Sequence, residues 1–168
     1  MEASVLSVNV AELRTIRWRG REVPTGIFKE PVHGPVRASG DSLEGDRQAD
    51  KRVHGGDAKA VYAYAREDYE WWEGELGREL APGTFGENLT LQGVRVSGAP
   101  PGERWRIGTA LLEVTEPRTP CFKLGVKMDS LRFLKQFTAA GRPGTYLRII
   151  EEGALAAGDS VQVLAPVR

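Results

Sequence analysis

Apolar residues alternate with polar ones in short runs along most of the chain. Leu6, Val8 and Val10 fall in phase over residues 4–10, which predicts a strand with one buried face. Residues 15–18 and 22–29 predict two further strands turned at Arg19-Gly20, with Pro24 placing the second at an edge or a bulge. Residues 36–40, 59–65 and 87–91 also read as short strands, bounded by glycines, prolines or polar loops. Residues 103–107 and 110–116 do so too, and Gly108-Thr109 between them predicts a hairpin. Residues 146–153 and 160–164 complete the set, with Val161 and Val163 expected inside. The period lengthens twice. Tyr69, Trp72 and Leu76, extended by Leu80, predict an amphipathic helix over residues 66–76 with its acids on a solvated face. A second helix is expected over residues 131–139, capped by Asp129 or Ser130, with Leu131, Leu134 and Phe137 inward.

Many short strands and few helices predict a mostly β fold: a closed or nearly closed β-barrel with a few peripheral helices. A βαβ parallel sheet is the weaker alternative, because helices do not alternate with strands. Chain length fits one domain over residues 1–168.

One stretch breaks the pattern. Residues 41–57 are polar and without period, and in a compact domain such a run is usually functional or disordered. Regular structure resumes at once beyond it, which favours function. Arg47, Lys51, Arg52 and Lys59 surround His54, Gly55 and Gly56. Paired glycines let backbone N–H groups approach an anion, and nearby cations add charge-assisted hydrogen bonds. The spacing is not that of a P-loop. His54 alone is more often a structural histidine, and His33, between Pro31 and Pro35, carries no functional signal.

Twenty-three basic residues balance twenty-three acidic ones, so no overall charge draws the chain to a nucleic-acid polymer or a membrane. No run of residues is long and apolar enough for a membrane span. The N-terminal residues lack a basic segment followed by an apolar run, so no signal peptide is expected. A lone cysteine rules out an intrachain disulfide and a cysteine-only metal cluster, and suits a reducing, cytoplasmic setting. Zinc-site and nucleophile-elbow motifs are absent from the sequence.

That cysteine is the most pointed feature. Pro117 and Pro120 frame Arg118 and fix a stiff loop ahead of Cys121, with Lys123 two residues on. If Cys121 opens a helix, backbone N–H groups and nearby cations favour its thiolate, as nucleophile or as metal ligand. The opposing reading is a buried cysteine acting as a small hydrophobe. A third dressed segment is Phe85-Gly86-Glu87-Asn88-Leu89. There the Asn88 amide could clamp a heterocycle edge, or simply build a bulge.

Together the segments 45–50, 53–56, 85–89, 117–124 and 141–146 resemble the MOSC domain family, in particular its small stand-alone bacterial YiiM-like type. The resemblance implies a barrel-like domain with peripheral helices, and a molybdenum cofactor (molybdopterin) bound through Cys121 as the metal ligand. It further implies that Arg47, Arg52, His54, Gly55, Gly56 and Lys59 hold the phosphate or pterin, and that Asn88 hydrogen-bonds pterin or substrate. Arg118, Lys123 and Arg142 would contact an anion or the substrate. The implied activity is reduction of N-hydroxylated compounds such as hydroxylaminopurine bases, with electrons from a separate electron-donor protein. The alternative is a sulfur or cofactor carrier without reductase activity. Molybdenum ion binding and pyridoxal phosphate binding are further expectations of the resemblance. Longer YiiM-like relatives carry a helical extension after the barrel; with the last predicted strand close to Arg168, contacts from such an extension are not expected. Oligomeric state is not legible.

Overall fold

A computed structural model describes residues 2–49 and 56–165. Strands β1 (Ser4–Val10), β2 (Arg14–Trp18), β3 (Arg21–Thr25), β4 (Glu30–Pro31), β5 (Val36–Ser39) and β6 (Ser42–Leu43) form the first part. A 3-10 turn, Asp57–Lys59, leads into β7 (Val61–Ala65), helix α1 (Arg66–Leu76) and β8 (Leu89–Gln92). Then come β9 (Arg104–Ile107), β10 (Ala110–Pro117), α2 (Phe122–Lys127), α3 (Arg132–Ala140), β11 (Thr145–Glu151), β12 (Gly153–Leu155) and β13 (Val161–Leu164).

Eight strands form the main sheet in the order β13-β9-β10-β11-β7-β8-β1-β4, with separate sheets β12-β5-β6 and β2-β3. The β9–β10 hairpin turns at Gly108-Thr109 as its sequence implies. Gly108 has φ +58°, and a Cβ there would lie 2.2 Å from the Ala154 oxygen, so only glycine fits. The β7–β8 pair is parallel, joined through α1, while the other strand pairs are antiparallel. Among the described residues no helix is long and apolar enough to cross a membrane.

The expected barrel does not close. The strand next to one end of the sheet, β1, meets the start of β13 at an isolated bridge, Ser4 to Ser160, with a few backbone hydrogen bonds around it, such as Val161 N to Ala3 O at 2.8 Å. A bulge between Val5 and Ser7 bends β1, and β4 is two residues long and ends on Pro31, which has no N–H to extend a ladder. The same bulge shifts the phase of β1: Val5 and Val8 are buried and Leu6 is 38% exposed, the reverse of what strict alternation gives for Leu6.

Two apolar clusters result. One, with Trp105, Ile107, Leu112, Val61 and Leu89, lies under the small sheet β12-β5-β6. The other is aromatic and packs α1 and α3 beside the main sheet through Tyr64, Tyr69, Trp72, Phe85, Phe133 and Phe137. Tyr69 and Trp72 of α1 are buried as their spacing requires, and Gly77 (φ +68°) ends the helix. The expected solvated acidic face holds at Glu67, Glu70 and Glu75, but Asp68 is buried and paired with Arg142, and Glu73 is partly buried, pairing with Arg66 and accepting from Leu80 N. In α3 Phe133 and Phe137, one helical turn apart, are buried, and Leu134 packs partly buried against the same cluster; Leu131 is 53% exposed and occupies the N-cap position, so neither Asp129 nor Ser130 caps. Val163 shares a face with Val161 but stands exposed on the outermost strand of the sheet.

Candidate functional site

Helix α2 carries the site. Cys121 is its N-cap residue, with the extended backbone angles of a helix cap (φ −122°, ψ 176°). Leu124, fully buried in the aromatic cluster, anchors the helix, and Phe122 stacks on Trp18 of β2 at 4.8 Å. Cys121 itself is half-buried and opens onto a cleft.

The cleft brings together three distant segments. Thr25, Gly26, Ile27 and Lys29 form one wall, Arg47, Gln48 and Ala49 a second, and Arg118, Cys121 and Lys123 a third. Lys59, Tyr62, Gly86, Asn88 and Tyr146 complete the lining. At Gly26 a Cβ would sit 2.0 Å from the Arg47 oxygen, so the first two walls touch only because residue 26 has no side chain.

A buried ionic brace supports the walls. Asp46 Oδ1 accepts from Lys29 Nζ at 2.7 Å and from Ala11 N at 2.9 Å, and its Oδ2 accepts from Asn88 Nδ2 at 3.0 Å. Burial pulls the Lys29 amine below its ordinary value, and Asp46 offsets part of that cost. Asn88 donates its remaining N–H to Asn9 O at 3.1 Å, and its Oδ1 accepts from Tyr62 N at 3.0 Å. Both amide donors are committed, so Asn88 braces the cleft and is not free to donate to pterin or substrate.

The cations are of two kinds. Arg47 and Lys59 stand at distances of 3.8 Å and 3.7 Å from Glu12 and Glu116. Arg118 and Lys123 are each 9% exposed, and among the described residues neither has a carboxylate partner. The Arg118 guanidinium donates to the Phe85 carbonyl and lies 4.7 Å from the Tyr62 ring centroid. It is near enough for charge on Cys121 to act on it. Gln48 donates to the Lys59 and Ala60 carbonyls at 3.0 and 3.3 Å, but its Oε1 is buried without a hydrogen-bond partner among the described residues.

Other expected residues lie elsewhere. Gly56 starts the 3-10 turn with φ 85° and does not line the cleft. Arg142 is away from it, bonded to Asp68 at 2.6 Å and laid over Trp71 at 4.6 Å, so its anion is an internal carboxylate. Arg52, His54 and Gly55 lie outside the described residues. The lining residues that have no role in the sequence reading include Lys29, Gln48, Tyr62 and Tyr146. Tyr62 and Tyr146 sit directly opposite each other on paired strands; only pairing reveals that.

Behind the cleft, burial pulls the Lys127 amine down to about 8, and it donates to the Gly83 carbonyl. Between pH 8 and 10.5 the unfolded chain therefore holds more protons at this lysine than the folded one, and stability rises across that window. Lys127→Met is expected to lack this rise, worth up to about 3 kcal/mol. Melting temperatures of the two proteins from pH 7 to 10.5 check it, and parallel curves would assign the titration elsewhere.

The donor set is one soft sulfur, several cations and an orphaned amide oxygen. Among the described residues no three His, Cys, Asp or Glu side chains are grouped to hold a bare metal ion. Such a site suits an anionic ligand that brings most of its metal's ligands with it.

The MOSC domain family model matches residues 50–162. The chain belongs to this family. The MOSC domain chain is 37% identical over 162 residues to the uncharacterized protein YflK of Bacillus subtilis, covering 96% of this chain and 73% of that one. It is 34% identical over 148 residues to protein YiiM of Escherichia coli, covering 86% of this chain and 66% of YiiM. A protein named "Reductase" from Gibberella moniliformis is 34% identical over 149 residues, 86% of this chain but 26% of its own length. The crystal structure of YiiM from Geobacillus stearothermophilus superposes with a TM-score of 0.79 at 32% identity, covering 97% of this chain and 75% of that one. The chain is thus a YiiM-like MOSC protein, of a family associated with molybdenum-cofactor-related function.

Proposed function

We propose that the cleft holds the molybdenum cofactor, with the Cys121 thiolate as protein ligand to the metal, and that the protein reduces N-hydroxylated compounds such as hydroxylaminopurine bases. The observation that carries this reading is the pairing of Cys121 with two nearly buried cations, Arg118 and Lys123, that have no carboxylate partner among the described residues. A buried charge without a partner is costly unless a ligand supplies the opposite charge. Arg118 and Lys123 hold the anionic part of the cofactor, Arg47 and Lys59 steer it at the rim, and Gln48 Oε1 accepts from a ring N–H. Cys121 fits because its thiolate is a soft ligand, held at the start of the anchored helix α2. When bound, the group supplies the two-electron chemistry that a chain of ordinary side chains lacks. Electrons come from a separate donor protein. The reductase named among the relatives supports the reaction class.

The test is metal content. Protein made with the cofactor available is expected to carry molybdenum near one atom per chain, and Cys121→Ser at least about tenfold less. Equal metal in both, or none in either, sinks the ligand assignment. Metal bound without reduction of hydroxylaminopurine by a chemically reduced dye would favour a carrier of sulfur or cofactor.

A further inference from the structure

Four tyrosines lie around or beneath the cleft, and three have committed hydroxyls. Tyr62 donates to the Pro143 carbonyl at 2.6 Å, Tyr64 to the Arg142 carbonyl at 2.7 Å, and Tyr69 to the Glu87 carboxylate. Tyr146 differs. It lines the cleft with Cys121, and its hydroxyl has no hydrogen-bond partner among the described residues.

Its position is nonetheless fixed. Gly144 N donates to Ser97 Oγ at 2.9 Å, and Thr145 Oγ1 to the Glu116 carbonyl at 3.2 Å, which pins the start of β11. A Cβ on Gly144 would lie 2.5 Å from the Ala63 oxygen, so β11 and β7 are in close contact there. The Tyr146 ring packs 5.3 Å from that of Tyr62, and Lys59 Nζ is 5.5 Å from its centroid. Both Arg118 and Cys121 are near enough for their charges to act on the Tyr146 hydroxyl. A phenol held by its ring, with its O–H uncommitted, is a donor set aside for a bound molecule.

We propose that Tyr146 is the proton donor to the oxygen that leaves an N-hydroxylated substrate in this cleft. This rests on the reductase reading above. The balanced reaction is R–NH–OH + 2 e⁻ + 2 H⁺ → R–NH₂ + H₂O. The N–O bond breaks, the oxygen takes one proton from Tyr146 and leaves as water, and the nitrogen takes the second from solvent. The two electrons come from the external donor protein or a reduced dye, and solvent reprotonates the phenolate, whose negative charge Arg118 stabilises meanwhile. A phenol is protonated at neutral pH and so able to donate.

Tyr146→Phe removes only the hydroxyl. With cofactor loaded and a reduced dye as electron source, kcat on hydroxylaminopurine is expected to fall about 10²- to 10³-fold at unchanged molybdenum content. An O-acetylated hydroxylamine, whose acetate leaves without a proton, is expected to be reduced within about threefold of the native rate. In the metal-free protein, calorimetry is expected to show an N-methoxypurine bound about three- to tenfold more weakly by the variant, for loss of one hydrogen bond. An active native protein with an equally active Tyr146→Phe, or equal losses on both substrates, overturns the donor role and leaves the reductase reading standing. A loaded native protein that reduces neither substrate overturns both.

Discussion

Asp46→Ala is expected to destabilise the protein by about 3–5 kcal/mol, with or without cofactor, because it strands a buried lysine. The Lys29 and Asp46 side chains are 7% and 0% exposed, 2.7 Å apart. Asp46 also receives Ala11 N and Asn88 Nδ2, so its loss leaves three donors without an acceptor. For a chain of this length that amounts to a fall in melting temperature of roughly 10 °C. The double variant Lys29→Met, Asp46→Ala removes the stranded charge as well and is expected to recover about half the loss. Chemical denaturation of the two single variants and the double supplies the coupling. A double variant no more stable than Asp46→Ala alone would show that the charge pair is not what holds the walls.

The brace also shows why some of the site was legible in the sequence and some was not. Local signals were sufficient where local physics decides. The proline frame marked a stiff loop ahead of Cys121, which does open a helix, and α1 spans Arg66–Leu76 as its apolar period requires. The Gly108 hairpin and the edge position of Pro24, in the two-stranded sheet, followed from backbone chemistry in the same way. What failed depended on pairing between distant segments. Asn88 reads as a free amide until Asn9, Asp46 and Tyr62 are brought around it. Arg142 reads as an anion binder until Asp68 lies 2.6 Å away, and that acid had been counted with the solvated face of α1. Closure of the sheet turned on one bulge in β1 and a two-residue β4, neither of which has a periodic signature. The cleft's cations were mostly visible as Arg47, Lys59, Arg118 and Lys123; which of them lacked partners was not.

Arg118→Met separates stability from function in the opposite sense to Asp46→Ala. Arg118 is nearly buried, stands over the Tyr62 ring and has no carboxylate partner among the described residues. Removing the charge relieves desolvation, while leaving the Phe85 carbonyl unpaired costs about 1–3 kcal/mol. The two effects oppose, so the cofactor-free variant is expected to be within about 2 kcal/mol of the native protein. Cofactor retention is expected to fall at least about tenfold, since a buried charge-assisted hydrogen bond to an anion is lost. Native protein should therefore melt higher when loaded, by roughly 2.7 kcal/mol at a hundredfold excess over Kd, and the variant should show little of that gain. Arg118→Lys keeps the charge but not the planar fork, and is expected to retain part of the binding. Metal analysis and melting curves on loaded and unloaded protein decide it. If Arg118→Met loses stability equally in both states and keeps its molybdenum, the guanidinium serves the fold through Phe85 and Tyr62, and the anion-binding role passes to Lys123.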